Sequence, residues 1–68
     1  MLRVKQIQRQ NKAMKTNAMW VVELGRKIAG VIERKWWGNN YIYICKKING
    51  EIVATENYFK TAKVAFVK

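Results

Sequence analysis

Histidine, aspartate and proline are absent from this 68-residue chain, and cysteine occurs once, at position 45. A lone Cys45 excludes an intrachain disulfide and any cysteine-based zinc site, and a reducing, cytoplasmic setting is expected. The only acids are four dispersed glutamates, Glu23, Glu33, Glu51 and Glu56. General acid–base and metal-ion chemistry therefore have few groups to use, and neither an enzyme nor a cofactor is expected. Both phosphate-cradling glycine patterns, GxxxxGK[ST] and GxGxxG, are missing. No apolar run approaches the roughly 20 residues of a membrane span. The basic N-terminus lacks the apolar stretch of a signal peptide, and it is short for a transit peptide. No membrane partner is expected.

What is present in excess is positive charge. Fourteen Lys and Arg against four Glu leave a formal charge of +10. Basic side chains can simply solubilise a small hydrophobic domain, but an excess of this size points to an anionic polymer. Residues 1–18 carry Arg3, Lys5, Arg9, Lys12 and Lys15 with no acid, hence +5. Residues 19–68 carry nine basic residues against the four glutamates, again +5. The first segment is Gln- and Asn-rich and sparsely apolar, so it is expected to be a flexible basic arm, or one marginal helix ordered on binding.

Residues 19–68 form the folded body, a single small α+β domain. Half of the chain is hydrophobic, enough for one core without staples. Met19–Leu24 is a strand by its β-branched and aromatic content, Ile28–Trp37 a second, and Tyr41–Ile48 a third. Gly25–Lys27 and Gly38–Asn40 are the turns between them. After Asn49–Gly50, Glu51–Ala54 adds a short fourth strand or an extended exit. Thr55–Lys68 is expected to be a helix, with Thr55 as N-cap, Glu56 in the first turn, and Phe59, Ala62 and Phe66 as its apolar stripe. The predicted architecture is a three-stranded antiparallel meander packed by one C-terminal helix.

Three-residue loops set an expected register in which Trp20 opposes Ile32 and Trp36 opposes Ile42. One face is then Trp20, Val22, Leu24, Ile28, Ile32, Trp36, Ile42 and Ile44, the expected core. The other face gathers Trp37, Tyr41 and Tyr43 beside Lys35 and Lys47, with Arg26 and Lys27 projecting from the first turn. Cations neutralise phosphates and rings stack on bases, so this cluster is a candidate nucleic-acid surface. The plainer role for such rings is cross-strand packing. Cys45 reads as a semi-buried thiol, and Lys60 and Lys63 as the solvated side of the helix.

From Trp20 to Lys68, the hairpin through Gly25-Arg26-Lys27, the strand Tyr41-Ile42-Tyr43-Ile44 and the helix ending Val64-Ala65-Phe66-Val67 carry a resemblance. This order of elements resembles the small DNA-binding domains of the integrase-arm and AP2-like type found on phages and mobile elements. The resemblance implies that the sheet face away from the helix enters the major groove, presenting Lys35, Trp37, Tyr43 and Lys47. Glu23 and Glu33 depart from it, because acids on such a face repel phosphate unless they accept from cytosine. The chain is also similar to basic chromatin proteins with an SH3-like barrel, but is one or two strands short.

The expected function is nucleic-acid binding, DNA ahead of RNA, by Arg3, Lys5, Arg9, Lys12, Lys15, Arg26, Lys27, Lys35, Trp37, Tyr41, Tyr43 and Lys47. The alternative is a small phage-type inhibitor or adaptor that binds an acidic host protein through the exposed hairpin. A ribosome-associated protein is a third reading. Oligomeric state is open.

Overall fold

Alternating side chains and tight turns build one antiparallel sheet in the computed structural model, which describes residues 2–67. Its strands are β1 (Leu2–Gln8), β2 (Ala18–Leu24), β3 (Lys27–Trp37), β4 (Asn40–Lys46) and β5 (Ile52–Glu56). They lie side by side in chain order, each pairing with the next. One helix, α1 (Phe59–Val64), follows. The α+β class and the helix-covered meander match expectation, but the sheet has five strands, not three or four.

The extra strand comes from the segment expected to be a flexible arm. Leu2 pairs with Leu24, Val4 with Val22 and Gln6 with Trp20, so β1 completes the core beside β2. Arg3 and Lys5 alternate to the other face and stay exposed. Two inward apolar residues are too few to announce a strand, and Gln6 and a register shift before Gln8 break the pattern. Charged side chains on an edge strand also discourage pairing with another chain.

The turns correct the second-hairpin register. Leu24 pairs with Lys27 and Trp37 with Asn40, leaving two-residue loops, Gly25-Arg26 and Gly38-Asn39. Gly25 and Gly38 stand first in these loops at φ +64° and +62°, the position a II′ hairpin turn reserves for glycine. Trp20 opposes Ile32 and Val22 opposes Gly30, as expected. Past the second turn, however, Trp36 opposes Tyr41 and Arg34 opposes Tyr43. That one-residue difference exchanges the faces of β4. Tyr41, Tyr43 and Cys45 face the helix side, while Ile42 and Ile44 line the open side.

Packing under α1 explains the choice. The buried core is Val22, Ile32, Cys45 and Ala62, ringed by Leu2, Val4, Trp20, Tyr43, Ala54, Phe59 and Phe66 among others. Small residues let the helix approach closely: the Cys45 thiol reaches the Ala62 carbonyl at 3.5 Å. A Cβ on Gly30 would collide with the Lys46 carbonyl and lie 2.5 Å from the Phe66 ring. An isoleucine in place of Cys45 could not sit there.

The helix is shorter than expected. Ile52–Glu56 continues as β5, with Ala54 opposite Cys45 and Glu56 opposite Tyr43, so Thr55 is a strand residue and not an N-cap. Tyr58 caps α1 without a side-chain hydrogen bond. Six residues cannot sustain a helix alone. Phe59 and Ala62 hold it on the sheet, and Phe66 extends the same apolar stripe.

Candidate nucleic-acid interface

Between β1 and β2 the chain forms a small ordered hairpin. Asn11 and Thr16 exchange backbone hydrogen bonds of 3.1 and 3.0 Å. The Asn11 side chain accepts from the Met14 amide at 3.1 Å, and the Thr16 hydroxyl donates to the Arg9 carbonyl at 3.0 Å. Lys15 takes the left-handed conformation, φ +56°, that closes the tip. Arg9, Lys12 and Lys15 are thus exposed on a defined loop. The acid-free segment is a structured basic finger, not a loose arm.

This finger meets the β3–β4 hairpin. Gln10 and Lys12 line a recess of about 490 Å³ together with Trp36 and Tyr41. Trp36 and Tyr41 pack edge to face, centroids 4.9 Å apart at 73°. They remain 54% and 36% exposed, so part of each ring is open to a ligand. Beneath them lies Arg34, its guanidinium 4.4 Å over Tyr41 and 5.8 Å from the Trp20 ring. Arg34 Nη2 donates to Gln10 Oε1 at 2.9 Å, tying finger to hairpin. Its Nε is buried without a hydrogen-bond partner.

The two segments that meet here carry only positive charge, while Glu56 stands on β5 opposite Tyr43. Residues 9–18 and 34–43 together hold Arg9, Lys12, Lys15, Arg34 and Lys35 and no acid. Glu33, next along β3, points to the opposite face and is already engaged. It accepts from Asn17 at 3.0 Å and from Lys46 at 3.3 Å. The Asn17 hydrogen bond, the largest cause, holds its carboxyl below the usual range, against a smaller upward push from burial. It therefore stays ionised and paired.

The twelve residues predicted from sequence do not form one surface. Lys12 and Tyr41 meet at the recess, with Arg9 and Lys15 on the same finger as Lys12. Lys35 and Trp37 are at that end but across the sheet, the Lys35 ammonium 5.9 Å from the Trp37 ring. Tyr43 belongs to the core, 5.6 Å from Phe59 and 6.3 Å from Trp20 between ring centroids. Arg26 and Lys27 lie at the start of β3, roughly 33 Å from its end at strand rise. Lys47 is beyond β4 at that same far end, paired with Glu51 at 3.4 Å. Arg3 and Lys5 lie along the open side of β1, opposite Glu23 and Val21.

Sequence patterns do not single out Gln10, Arg34 or Trp36 for this site. They place Trp36 in the core and Arg34 at its rim, because alternation along β3 puts both on the face that the helix packs against. A six-residue helix leaves that end of the face bare.

Among the described residues no three His, Cys, Asp or Glu side chains gather where they could hold a metal ion, and no helix is long and apolar enough to cross a membrane. No protein-family model, curated protein or solved structure matches this chain.

Proposed function

We propose that this chain binds nucleic acid, DNA in the first place, through the end of the sheet where the basic finger meets the Trp36–Tyr41 hairpin. The observation that carries this reading is the shared recess: Gln10 and Lys12 from one element, Trp36 and Tyr41 from another. Arg9, Lys12, Lys15 and Arg34 supply the phosphate attraction, and the partly exposed Trp36 and Tyr41 rings supply surfaces for bases or sugars. Ordering of the finger by its own hydrogen bonds lowers the entropy lost on binding.

Fluorescence anisotropy with labelled oligonucleotides across a salt series tests it. Log affinity should fall linearly with log salt. Arg9→Gln/Lys12→Gln/Lys15→Gln should flatten the slope by about 2 to 3, near one unit for each phosphate no longer neutralised. Absence of binding at about 50 mM salt, where counterion release favours it most, would end this reading.

A second reading draws on the opposite face. Met19, Val21, Val31, Ile42 and Ile44 are half-buried there with no element over them, and Trp37 is 65% exposed beside them. Such a face suits a protein partner, as in a phage-type inhibitor or adaptor of an acidic host protein. Capture from lysate with and without nuclease separates the two: nucleic-acid binding predicts that nuclease strips the captured material.

A further inference from the structure

Resting on the nucleic-acid reading above, we infer that the Gln10–Lys12–Trp36–Tyr41 recess seats one unpaired nucleobase with an acceptor-rich edge, so that the chain holds single strands in preference to duplex. Arg34 occupies one face of Tyr41, whereas Trp36, set nearly perpendicular to Tyr41, is the more exposed of the two rings, so the indole is the surface offered to a base. A base inside a duplex has both faces covered by its neighbours. Only an unpaired base can present one to Trp36.

The rim of the recess fixes the polarity of the ligand. Arg34 has donors only, so Gln10 must turn its carbonyl oxygen toward it. The Gln10 amide group is then left as a donor, beside the Lys12 ammonium. Arg34 itself adds a positive charge that no carboxylate meets among the described residues. A base edge rich in acceptors fits these donors: thymine or uracil O2 and O4, or guanine O6 and N7. Adenine and cytosine, which present an amino donor, fit less well. The recess volume of about 490 Å³ lies within the usual range for small-ligand sites. Arg9 and Lys15, exposed on the same finger, add positive charge for backbone phosphates.

The test uses the full chain with oligo-dT, oligo-dA and a mixed duplex, each of about 12 nucleotides or base pairs, within common single-strand site sizes. Affinities are read by anisotropy at one low salt concentration, with circular dichroism confirming the fold of each variant. Oligo-dT should bind at least about tenfold more tightly than duplex, as one stacked base implies. Trp36→Leu should bring the two level, while Trp37→Leu, on the other face, should keep the ratio. Duplex bound as tightly as oligo-dT by the unaltered chain, or a ratio that survives Trp36→Leu, overturns the base seat and leaves the electrostatic reading standing. Oligo-dA equal to oligo-dT overturns the acceptor-edge assignment. No salt-dependent binding to any of the three overturns both readings together.

Discussion

The Arg34 guanidinium stands 4.4 Å over the ring of Tyr41, and among the described residues no carboxylate meets it. Its charge is met by the electron-rich faces of Tyr41 and Trp20 and by the Gln10 carbonyl oxygen. An arginine held this way is both a support for the hairpin and a source of positive potential at the recess.

The ring of Tyr41, not its hydroxyl, carries that interaction. Tyr41→Leu should cost about 1–2 kcal/mol of unfolding free energy, the range of a partly desolvated cation–π pair, and Tyr41→Phe less than about 0.5 kcal/mol. Urea denaturation of both variants measures this. Equal losses would assign the stabilisation to the hydroxyl instead.

Gly30 is where β3, β4 and the turn after α1 approach most closely. Gly30→Ala puts a methyl against the Lys46 carbonyl and the Phe66 ring. Backbone cannot yield cheaply there, so a loss of about 3 kcal/mol is expected, at the upper end of overpacking costs. Measured against Phe66→Ala alone, Gly30→Ala should still cost nearly as much, because the backbone clash remains. No cost of Gly30→Ala in the Phe66→Ala background would locate the strain in the ring alone.

The positions of β2 to β4, both hairpin turns and the Phe59–Ala62–Phe66 stripe can be read from sequence, since each rests on a local pattern. The faces of β4 cannot. Ile42 and Ile44 are as apolar as Tyr43 and Cys45, so alternation alone does not choose between them. The choice falls to loop length and to the small residues that α1 requires beneath it. The recess is hidden for a related reason: its lining comes from residues 10–12 and from the Trp36–Tyr41 hairpin, far apart in sequence. The acid-free segments at 9–18 and 34–43 converge in space, whereas Arg26, Lys27 and Lys47 lie at the far end of the sheet.

Cys45 is fully buried, and burial, with a smaller push from the negative charge of Glu56, raises its thiol to about 11. At pH 8 the native thiol is therefore protonated as well as inaccessible, and thiolate is the reactive form. Native protein should react with an aromatic disulfide reagent at least about a hundredfold more slowly than protein in denaturant, with a rate that tracks opening of the fold. Rapid reaction of the native protein would place Cys45 outside the core.

Glu33 gives the fold an acid-sensitive link. Its folded carboxyl binds a proton less readily than the ordinary value of 4.5, chiefly because Asn17 donates to it. Its stabilisation is complete above that unfolded value and is lost as pH falls through the lower folded one. Glu33→Gln should therefore cost about 1 kcal/mol at neutral pH and progressively less as pH falls below 4.5. Denaturation midpoints of both proteins across pH 3–7 measure the difference. A gap that widens toward acid has the wrong sign for this linkage.

Removal of residues 1–8 separates a strand from an arm. If the segment were a solvated arm, its loss would leave the melting transition in place and reduce only charge. As β1 it pairs with β2 from Leu2 to Gln8 and sets Leu2 and Val4 against the core. Burial of two aliphatic side chains, each partial, contributes about 2–3 kcal/mol. Loss of β1 also leaves β2 as a bare edge with Val21 and Val22 exposed along it. A 68-residue domain has only a few kcal/mol in reserve. The shortened chain should melt at least about 10 °C lower or fail to fold, and should aggregate more readily. Arg3→Gln/Lys5→Gln, which removes charge and keeps the strand, should leave the transition nearly unmoved. Weaker nucleic-acid binding on truncation would then reflect a damaged fold, whereas the finger substitutions at Arg9, Lys12 and Lys15 should weaken binding with the transition unmoved.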